Sequence, residues 1–557
     1  MQARPNDELV FLPLGGSGEV GMNFNAYGYG PPEARKWIVV DVGVTFGDLT
    51  TPGVDIITPD ASFLEERAQD ILGIIVTHAH EDHIGGLPWL WPRLKAPIYA
   101  TPFTAFLVRE KLHNAGVQGF KIHEVPLGGA IELGAFKIEL VTLTHSIPEP
   151  NGLAIRTPHG VVLHTGDWKI DPDPITGAVT DVDALRRLGD EGVLAMVCDS
   201  TNVFVEGHTG SEALVRETLT ELLPRLKGKV AVACFASNVA RIDSAVRAAK
   251  AANRRVCLVG RSMLRMTAAA KTVGLLKDAE FVRDDEAKLF PEDELLYLVT
   301  GSQGEPRAAL SRIADGGHPH VKFGSGDSVI FSSREIPGNE VAIAAMQNAL
   351  AENGVRILTE RDHPGIHVSG HPAREELRQM YQWARPRIAV PTHGERRHLM
   401  EHVLLAKELQ VPEAIAPHNG DLIRLAPGRA EVIDEVPAGR LYVDGGTLTP
   451  ANGEALRERR HAAHNGLLMV TLALDARGKL VSELDLRSIG LPDSKDKPLN
   501  DALDDLADTA EDALRRLDRN IREDDVALEQ AMNRTLKKAS QRIWDRRPMV
   551  ETVVLRV

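Results

Sequence analysis

Ile74-Ile75-Val76-Thr77-His78-Ala79-His80-Glu81-Asp82-His83-Ile84-Gly85-Gly86-Leu87 runs from a short β-branched apolar segment into a loop dense in metal-capable side chains. The apolar run reads as a buried strand, and the glycine pair with Leu87 reads as the start of a helix. Between them, six residues carry three histidines and one aspartate in the pattern H-x-H-x-D-H. A lone histidine is usually a satisfied core or surface group. Imidazole and carboxylate packed this closely in a loop can converge on metal ions at little backbone cost.

One such loop does not fill two metal sites, so further ligands must come from elsewhere. His145 stands in Thr142-Leu143-Thr144-His145-Ser146, and Asp167 ends Val161-Val162-Leu163-His164-Thr165-Gly166-Asp167. His393 stands in Ile388-Ala389-Val390-Pro391-Thr392-His393-Gly394. Each lies at or just past the C-terminal end of a predicted strand, where α/β proteins gather their chemistry.

Outward from these positions, residues 1–205 read as strands separated by Gly/Pro turns with a few helices. Trp37–Gly43, Ile98–Ala100 and the alternating Ala135–Val141 are predicted strands. Residues 206–365 change rhythm: Lys229–Cys234, Arg255–Val259, Leu295–Val299 and Ser328–Phe331 alternate with helical patterns over Ala240–Ala251 and from Ser262. That alternation predicts a parallel sheet of its own. It is an insertion, because His371 and His393 follow it. Residues 366–450 return to the first domain. Residues 451–465, polar and rich in Arg and His, read as a linker. Residues 466–557 read as a small α/β domain: two strands, helices from about 497 to 545, and a closing strand Met549–Val557.

The chain of 557 residues has 43% hydrophobic and 25% charged residues, which suits several soluble globular domains. No apolar run reaches membrane-spanning length, and the first eight residues lack an apolar signal core. Cys198, Cys234 and Cys257 cannot make a disulfide framework. A cytoplasmic enzyme is expected. The net charge of −14 conflicts with phosphate binding unless basic residues are segregated. The richest stretch is 241–271, with Arg241, Arg247, Lys250, Arg254, Arg255, Arg261, Arg265 and Lys271 against Asp243. Solvated helix faces explain such a stretch equally well.

The set H-x-H-x-D-H, His145, Asp167 and His393 resembles the metallo-β-lactamase superfamily, in its β-CASP nucleic-acid branch. Phe11-Leu12-Pro13-Leu14-Gly15-Gly16-Ser17-Gly18-Glu19-Val20-Gly21 is similar to the opening of the ribonuclease J family. Ser17 and Met22 match that opening only in part. Cys198-Asp199-Ser200-Thr201-Asn202, Val299–Pro306 and His367-Val368-Ser369-Gly370-His371 resemble internal motifs of the same family. The resemblance is close over residues 8–450 and looser beyond. It implies an αββα sandwich with an inserted β-CASP α/β domain and a small C-terminal α/β domain.

The resemblance also implies roles. His78, His80 and His145 would hold one divalent ion, Asp82, His83 and His393 a second, with Asp167 bridging. Nitrogen and oxygen donors suit Zn or Mn without choosing between them. Asp82 would both bind metal and orient the attacking hydroxide. His371 would stabilise the scissile phosphate or protonate the leaving oxygen, with Asp199 orienting a nearby histidine. His367, Ser369 and Gly370 form a polar, Gly-containing turn, and Phe235-Ala236-Ser237 lies between a strand and a helix; both suit an anion. By resemblance, Phe235–Ser237 and His367–His371, Val368 included, form the pocket for a terminal nucleotide and its 5′ phosphate. Asp48 and Asp444 lie in segments that hold a structural calcium in some relatives. A histidine at 393, where DNA-acting relatives carry valine, points to RNA.

The function these expectations describe is 5′-to-3′ degradation of single-stranded RNA bearing a 5′ monophosphate, with some internal cleavage. The expected assembly is a homodimer or tetramer, able to join RNA-decay partners. The rival readings are a small-substrate metallo-hydrolase, a DNA-repair nuclease of the same branch, and an inactive RNA-binding scaffold. The long insert disfavours the first, His393 the second, and the complete ligand set the third.

Overall fold

Strands apolar on both faces build the centre of the protein in the computed structural model, which describes residues 4, 6–48, 50–336 and 338–557. The N-terminal stretch read for a signal core therefore falls partly outside the described residues. The chain divides into two compact units. The first comprises residues 1–45 and 58–440, the second residues 46–57 and 441–557.

In the first unit an eight-stranded sheet has the spatial order Glu431–Glu435, Asp421–Ala426, Glu8–Gly15, Phe24–Gly30, Lys36–Val40, Ile71–Ile75, Ile98–Ala100, Ile122–Glu124. A seven-stranded sheet has the order Ala130–Leu133, Phe136–Thr142, Asn151–Thr157, Gly160–His164, Val193–Asp199, Ile388–Thr392, Glu413–Ala414. The two sheets share one core. Phe11, Tyr27, Ile38 and Ile75 from the first pack with Ile138, Leu153, Ile155, Val162, Val197 and Ile388 from the second. Burial of each such side chain contributes about 1.5–3 kcal/mol. Residues of opposite parity, among them Ala154, Leu163, Met196 and Ala389, face Leu185, Leu188, Leu377, Met380 and Leu405 of three covering helices. Strands covered on both faces read as continuous apolar runs rather than alternating ones.

The strands that end near His78, Asp167 and His393 have parallel neighbours, whereas Phe136–Thr142, which leads to His145, is antiparallel to both of its own. Lys36–Val40, Ile71–Ile75 and Ile98–Ala100 are parallel neighbours, as are Gly160–His164, Val193–Asp199 and Ile388–Thr392. Asp199 pairs in register with Thr392 although the insert separates them in sequence. The insert forms a six-stranded, wholly parallel sheet, ordered Phe281–Arg283, Arg255–Val259, Leu295–Val299, Val230–Ala233, Ser328–Phe331, Arg356–Leu358. The helix Val239–Ala251 starts where the Asn238 side chain accepts from Arg241 N, a standard N-cap.

In the second unit the strands Asp485–Ile489, Leu467–Leu474 and Met549–Arg556 form a three-stranded sheet. Leu468, Val470 and Leu472 pack with Leu506, Ala510, Leu514, Leu528, Met532 and Leu536 of the helices Leu499–Arg516 and Asp525–Trp544. Two expectations need correcting. The stretch 451–465, read as a linker, is helical over Glu454–Asn465 and groups with the C-terminal unit. It is built of Ala, Leu, Glu and Arg, good helix formers. Its sequence looks like a linker because Leu456 is its one buried residue. Residues 46–57 and 441–450, read with the first domain, group with the C-terminal unit. The tie is non-local: Arg460 donates to Thr50 O at 2.5 Å.

Candidate metal centre and nucleic-acid pocket

The apolar strand Ile71–Ile75 delivers Thr77 and His78 to the rim of the sheet, and His80 precedes the short helix Glu81–Ile84. Close backbone packing fixes this loop. Asp82 O accepts from Asn23 N at 2.8 Å, and His83 O accepts from Val42 N at 2.7 Å. A Cβ on Gly43 would lie 1.8 Å from Asp82 O, so only glycine allows the approach.

Two sets of donors converge there. His78 Nε2 and His145 Nε2 each lie 3.1 Å from His80 Nδ1, and Asp167 Oδ2 is 3.8 Å from both Nε2 atoms. Asp82 Oδ2 is 3.4 Å from His83 Nε2 and 3.3 Å from His393 Nε2. Asp167 touches this second set as well, with Oδ2 at 3.2 Å from His83 Nε2 and Oδ1 at 2.6 Å from His393 Nδ1. Four donors of each set, Asp167 common to both, lie within 4.8 Å of one another.

The remaining nitrogen of four of the imidazoles is held. His78 Nδ1 meets Thr77 Oγ1 at 3.1 Å, His80 Nε2 meets Ser237 Oγ at 3.0 Å, and His145 Nδ1 donates to Gly370 O at 2.5 Å. His83 Nδ1 donates to Asp41 Oδ2 at 2.7 Å. Each ring is thereby oriented with its second nitrogen toward the cluster, as metal-binding histidines are. Neither ring nitrogen of the buried His393 makes a hydrogen bond of acceptable geometry. The 3.1 Å edges of the first set are close to the ~3.3 Å ligand separation of a tetrahedral site with bonds near 2.0–2.1 Å. The donor set therefore fits divalent ions.

Electrostatics follow the same geometry. Burial pushes His78 and His145 well below the usual imidazole value, and His80 down to about 4. Burial opposes ionisation of Asp167 and Asp82. The neighbouring imidazoles, His393 and His83 on Asp167 and His83 first on Asp82, outweigh it and hold both carboxyls well below their ordinary range. Beside them, His371 Nδ1 lies 2.8 Å from Asp199 Oδ2 and 4.0 Å from Asp167 Oδ2. Burial disfavours a charged His371, but Asp199 more than compensates and raises its pKa.

The two predicted pocket segments meet through the insert. Ser237 contacts His80, and Arg241, four residues on, lies 3.3 Å from His367 Nδ1. Phe235 is partly exposed, and Ala236 follows it in the turn before the helix. Ser369 Oγ accepts from Asn202 Nδ2 at 2.9 Å and from His371 N at 3.2 Å. Val368 is buried. Gly370 packs on His145: a Cβ there would lie 2.8 Å from His145 Cε1.

Several side chains that shape this region gave no sequence signal of their own. Asp41, at φ 62°, accepts from Thr77 N and Thr77 Oγ1 as well as His83. Its one trace is a charged residue closing the apolar run Trp37–Val40. Arg241 is not part of a free basic track. It is buried in an ion pair with Glu212 at 2.8 Å and donates to Ser332 O. Arg254 is likewise spent on the carbonyls of Leu226, Gly228 and Leu295. The calcium expectation finds Asp444 paired with Arg459 at 2.6 Å, and Asp48 accepting from Thr50 N and Oγ1. Among the described residues neither joins a group of three or more metal-capable side chains.

Four family profiles match the chain: a beta-lactamase superfamily domain over residues 36–187, the ribonuclease J beta-CASP domain over 227–350, a Zn-dependent metallo-hydrolase RNA specificity domain over 363–417, and the ribonuclease J C-terminal domain over 454–557. Ribonuclease J of Sinorhizobium meliloti is 44% identical over 559 aligned positions, covering 99% of this chain and 98% of that protein. The chain belongs to the ribonuclease J family. Ribonuclease J of Corynebacterium glutamicum is 38% identical over 99% of this chain and 76% of its own length. That of Thermus thermophilus is 38% identical over 84% and 83%. A crystal structure of a protein of unknown function from Enterococcus faecalis V583 superposes with a TM-score of 0.52 at 15% identity, covering 75% of this chain and 100% of that one, which shows the fold alone. As a ribonuclease J family member the protein is a metal-dependent ribonuclease of the metallo-β-lactamase, β-CASP type. Among its described residues no helix is long and apolar enough to cross a membrane.

Proposed function

We propose that this nuclease degrades single-stranded RNA from the 5′ end, favours a 5′ monophosphate, makes some internal cuts, and uses two divalent ions, Zn or Mn. The observation that carries the reading is the turn His367–His371, which joins two tasks. Ser369, whose Oγ accepts from Asn202 Nδ2 and His371 N, is the proposed contact for the terminal phosphate, and His371, two residues on, sits at hydrogen-bond distance from Asp199 beside Asp167. A phosphate held on this turn sets a fixed distance to the bond being cut. That geometry removes nucleotides one at a time from an end.

His78, His80 and His145 would hold one ion, Asp82, His83 and His393 the other, with Asp167 common to both. When bound, such a pair supplies an activated water and neutralises charge on the phosphoryl group. The protein's own groups do the rest. Asp82 orients the attacking water. Asp199 accepts the Nδ1 proton of His371 and leaves Nε2 to protonate the departing ribose oxygen, a general-acid role favoured by its raised pKa. The family assignment and the intact ligand set support RNA over DNA and activity over a scaffold role. We further propose a cytoplasmic enzyme that assembles as a homodimer or tetramer and can join RNA-decay partners.

The test is an RNA labelled throughout, carrying a 5′ monophosphate or a 5′ triphosphate, incubated with the protein and Mn or Mg. Rapid release of mononucleotides from the monophosphate RNA alone supports the reading. Discrete internal fragments from both RNAs would make it chiefly an endonuclease and remove the pocket assignment of Ser237 and Ser369.

A further inference from the structure

We infer that the β-CASP insert completes the metal site: Ser237, reaching from the insert, is the positioning residue of the ligand His80. His80 Nδ1 lies 3.1 Å from both His78 Nε2 and His145 Nε2, so Nδ1 is the nitrogen that faces the cluster. For its lone pair to be available, the ring proton must sit on Nε2. Nε2 lies 3.0 Å from Ser237 Oγ, which is therefore its acceptor.

The contrast with the other rings is what gives this contact its meaning. His78 is fixed by Thr77, His83 by Asp41 and His145 by the carbonyl of Gly370, all from the lactamase-like part of the chain. Of these four, His80 is the one whose outer partner comes from the insert. A second contact falls on the same loop. Glu81, next to His80, pairs with Lys111 at 2.6 Å and has Arg265 of the insert helix Arg261–Thr272 at 3.6 Å.

Movement of the insert away from this loop would deprive His80 of its acceptor and free the ring to turn or change tautomer. Metal affinity and closure of the insert are then linked, and linkage is reciprocal: bound metal favours the closed arrangement. Ser237 also keeps its own hydroxyl proton, which remains free to donate to a phosphate. One side chain would thus sense the metal ligand on one side and the RNA end on the other.

The inference rests on the reading that His80 holds a divalent ion. Its test measures manganese affinity of the full-length protein by competition with a chromophoric chelator, for wild type, Ser237→Ala, Ser237→Thr and Ser369→Ala. Melting temperatures are taken without metal. Loss of an outer partner typically weakens metal binding ~10–100-fold, and Ser237→Ala should show that loss. Ser237→Thr, which keeps the hydroxyl, should bind like wild type. Ser369→Ala, whose partners are Asn202 and His371, should leave manganese affinity unchanged. Should Ser237→Ala melt early without metal, Ser237→Cys, a near-isosteric weak acceptor, replaces it. Manganese binding by Ser237→Ala as tight as wild type overturns the inference and leaves the proposed function standing. Equal weakening by Ser369→Ala overturns it too, since the effect would be a general loosening of the pocket. A wild-type protein that shows no saturable binding of either manganese or zinc in this competition overturns both.

Discussion

Asp41 illustrates how much of this site depends on side chains that touch no reacting atom. It sits in the left-handed region at φ 62°, costly for a non-glycine residue, and accepts three hydrogen bonds that fix Thr77 and His83. Replacing it with alanine should lower metal affinity by ~10–100-fold, the usual cost of losing such a partner, measured by the same chelator competition. Asp82→Ala removes a group from the reaction centre itself. It should abolish cleavage while RNA retention on a filter stays near wild type; a parallel loss of binding would place Asp82 in substrate recognition instead. Glu212 tests the buried charge pair. Arg241 overcomes the burial penalty and brings its pKa from 4.5 to about 2. A depressed folded-state value stabilises the fold above the unfolded pKa, and that stabilisation is lost as pH falls through about 2. Glu212→Gln strands a buried guanidinium and should cost about 3–5 kcal/mol at neutral pH. In denaturant titrations its deficit against wild type should shrink as pH drops below about 4.5. A deficit that stays constant with pH would show that the pair is not what Glu212 contributes.

Among the elements, the turn His367–His371 is tightly constrained, because Gly370 leaves no space for a side chain against His145 and Ser146. Gly370→Ala should push the His145 ring out of line and lower kcat on the order of 100-fold for a displacement near 1 Å, with melting temperature little changed. A fall in melting temperature with kcat intact would instead mark Gly370 as a folding residue. Elements also show what a sequence discloses. The convergence of His78, His80, Asp82 and His83 was readable because they fall within six residues, and the insert's sheet because strands and helices alternate. The partners of those ligands were not. Ser237 lies 157 residues from His80, and Gly370 lies 225 from His145. Those contacts arise from tertiary packing, which local patterns do not encode. The helix Glu454–Asn465 was hidden for a different reason: a surface helix with one buried residue has almost no apolar stripe to read.

At the scale of the whole molecule, one face of the C-terminal sheet has no covering layer among the described residues. Leu468, Val470 and Leu472 are buried beneath its helices, whereas Met469, Val553, Leu555 and Ile489 on the opposite face are 42–62% exposed. Register places Val553 opposite Thr471 and Leu555 opposite Ala473, the same parity as Met469. Apolar side chains aligned on one exposed face mark an interaction surface. Removal of residues 466–557 should convert the proposed oligomer to a monomer in analytical ultracentrifugation, and Leu555→Glu with Val553→Glu in the intact chain should do the same. An unchanged sedimentation coefficient in both would assign assembly to another surface.

The in-register pairing of Val193–Asp199 with Ile388–Thr392 has a consequence in time. Domains generally fold from the N-terminus as the chain is synthesised. His78, His80, His145 and Asp167 are all translated early, but His371 and His393 leave the ribosome only after the entire insert. Until then the growing nuclease lacks His393 of its proposed second ligand set and His371, its proposed proton donor. For most of its synthesis it is tethered to a messenger RNA that it is not yet equipped to cut.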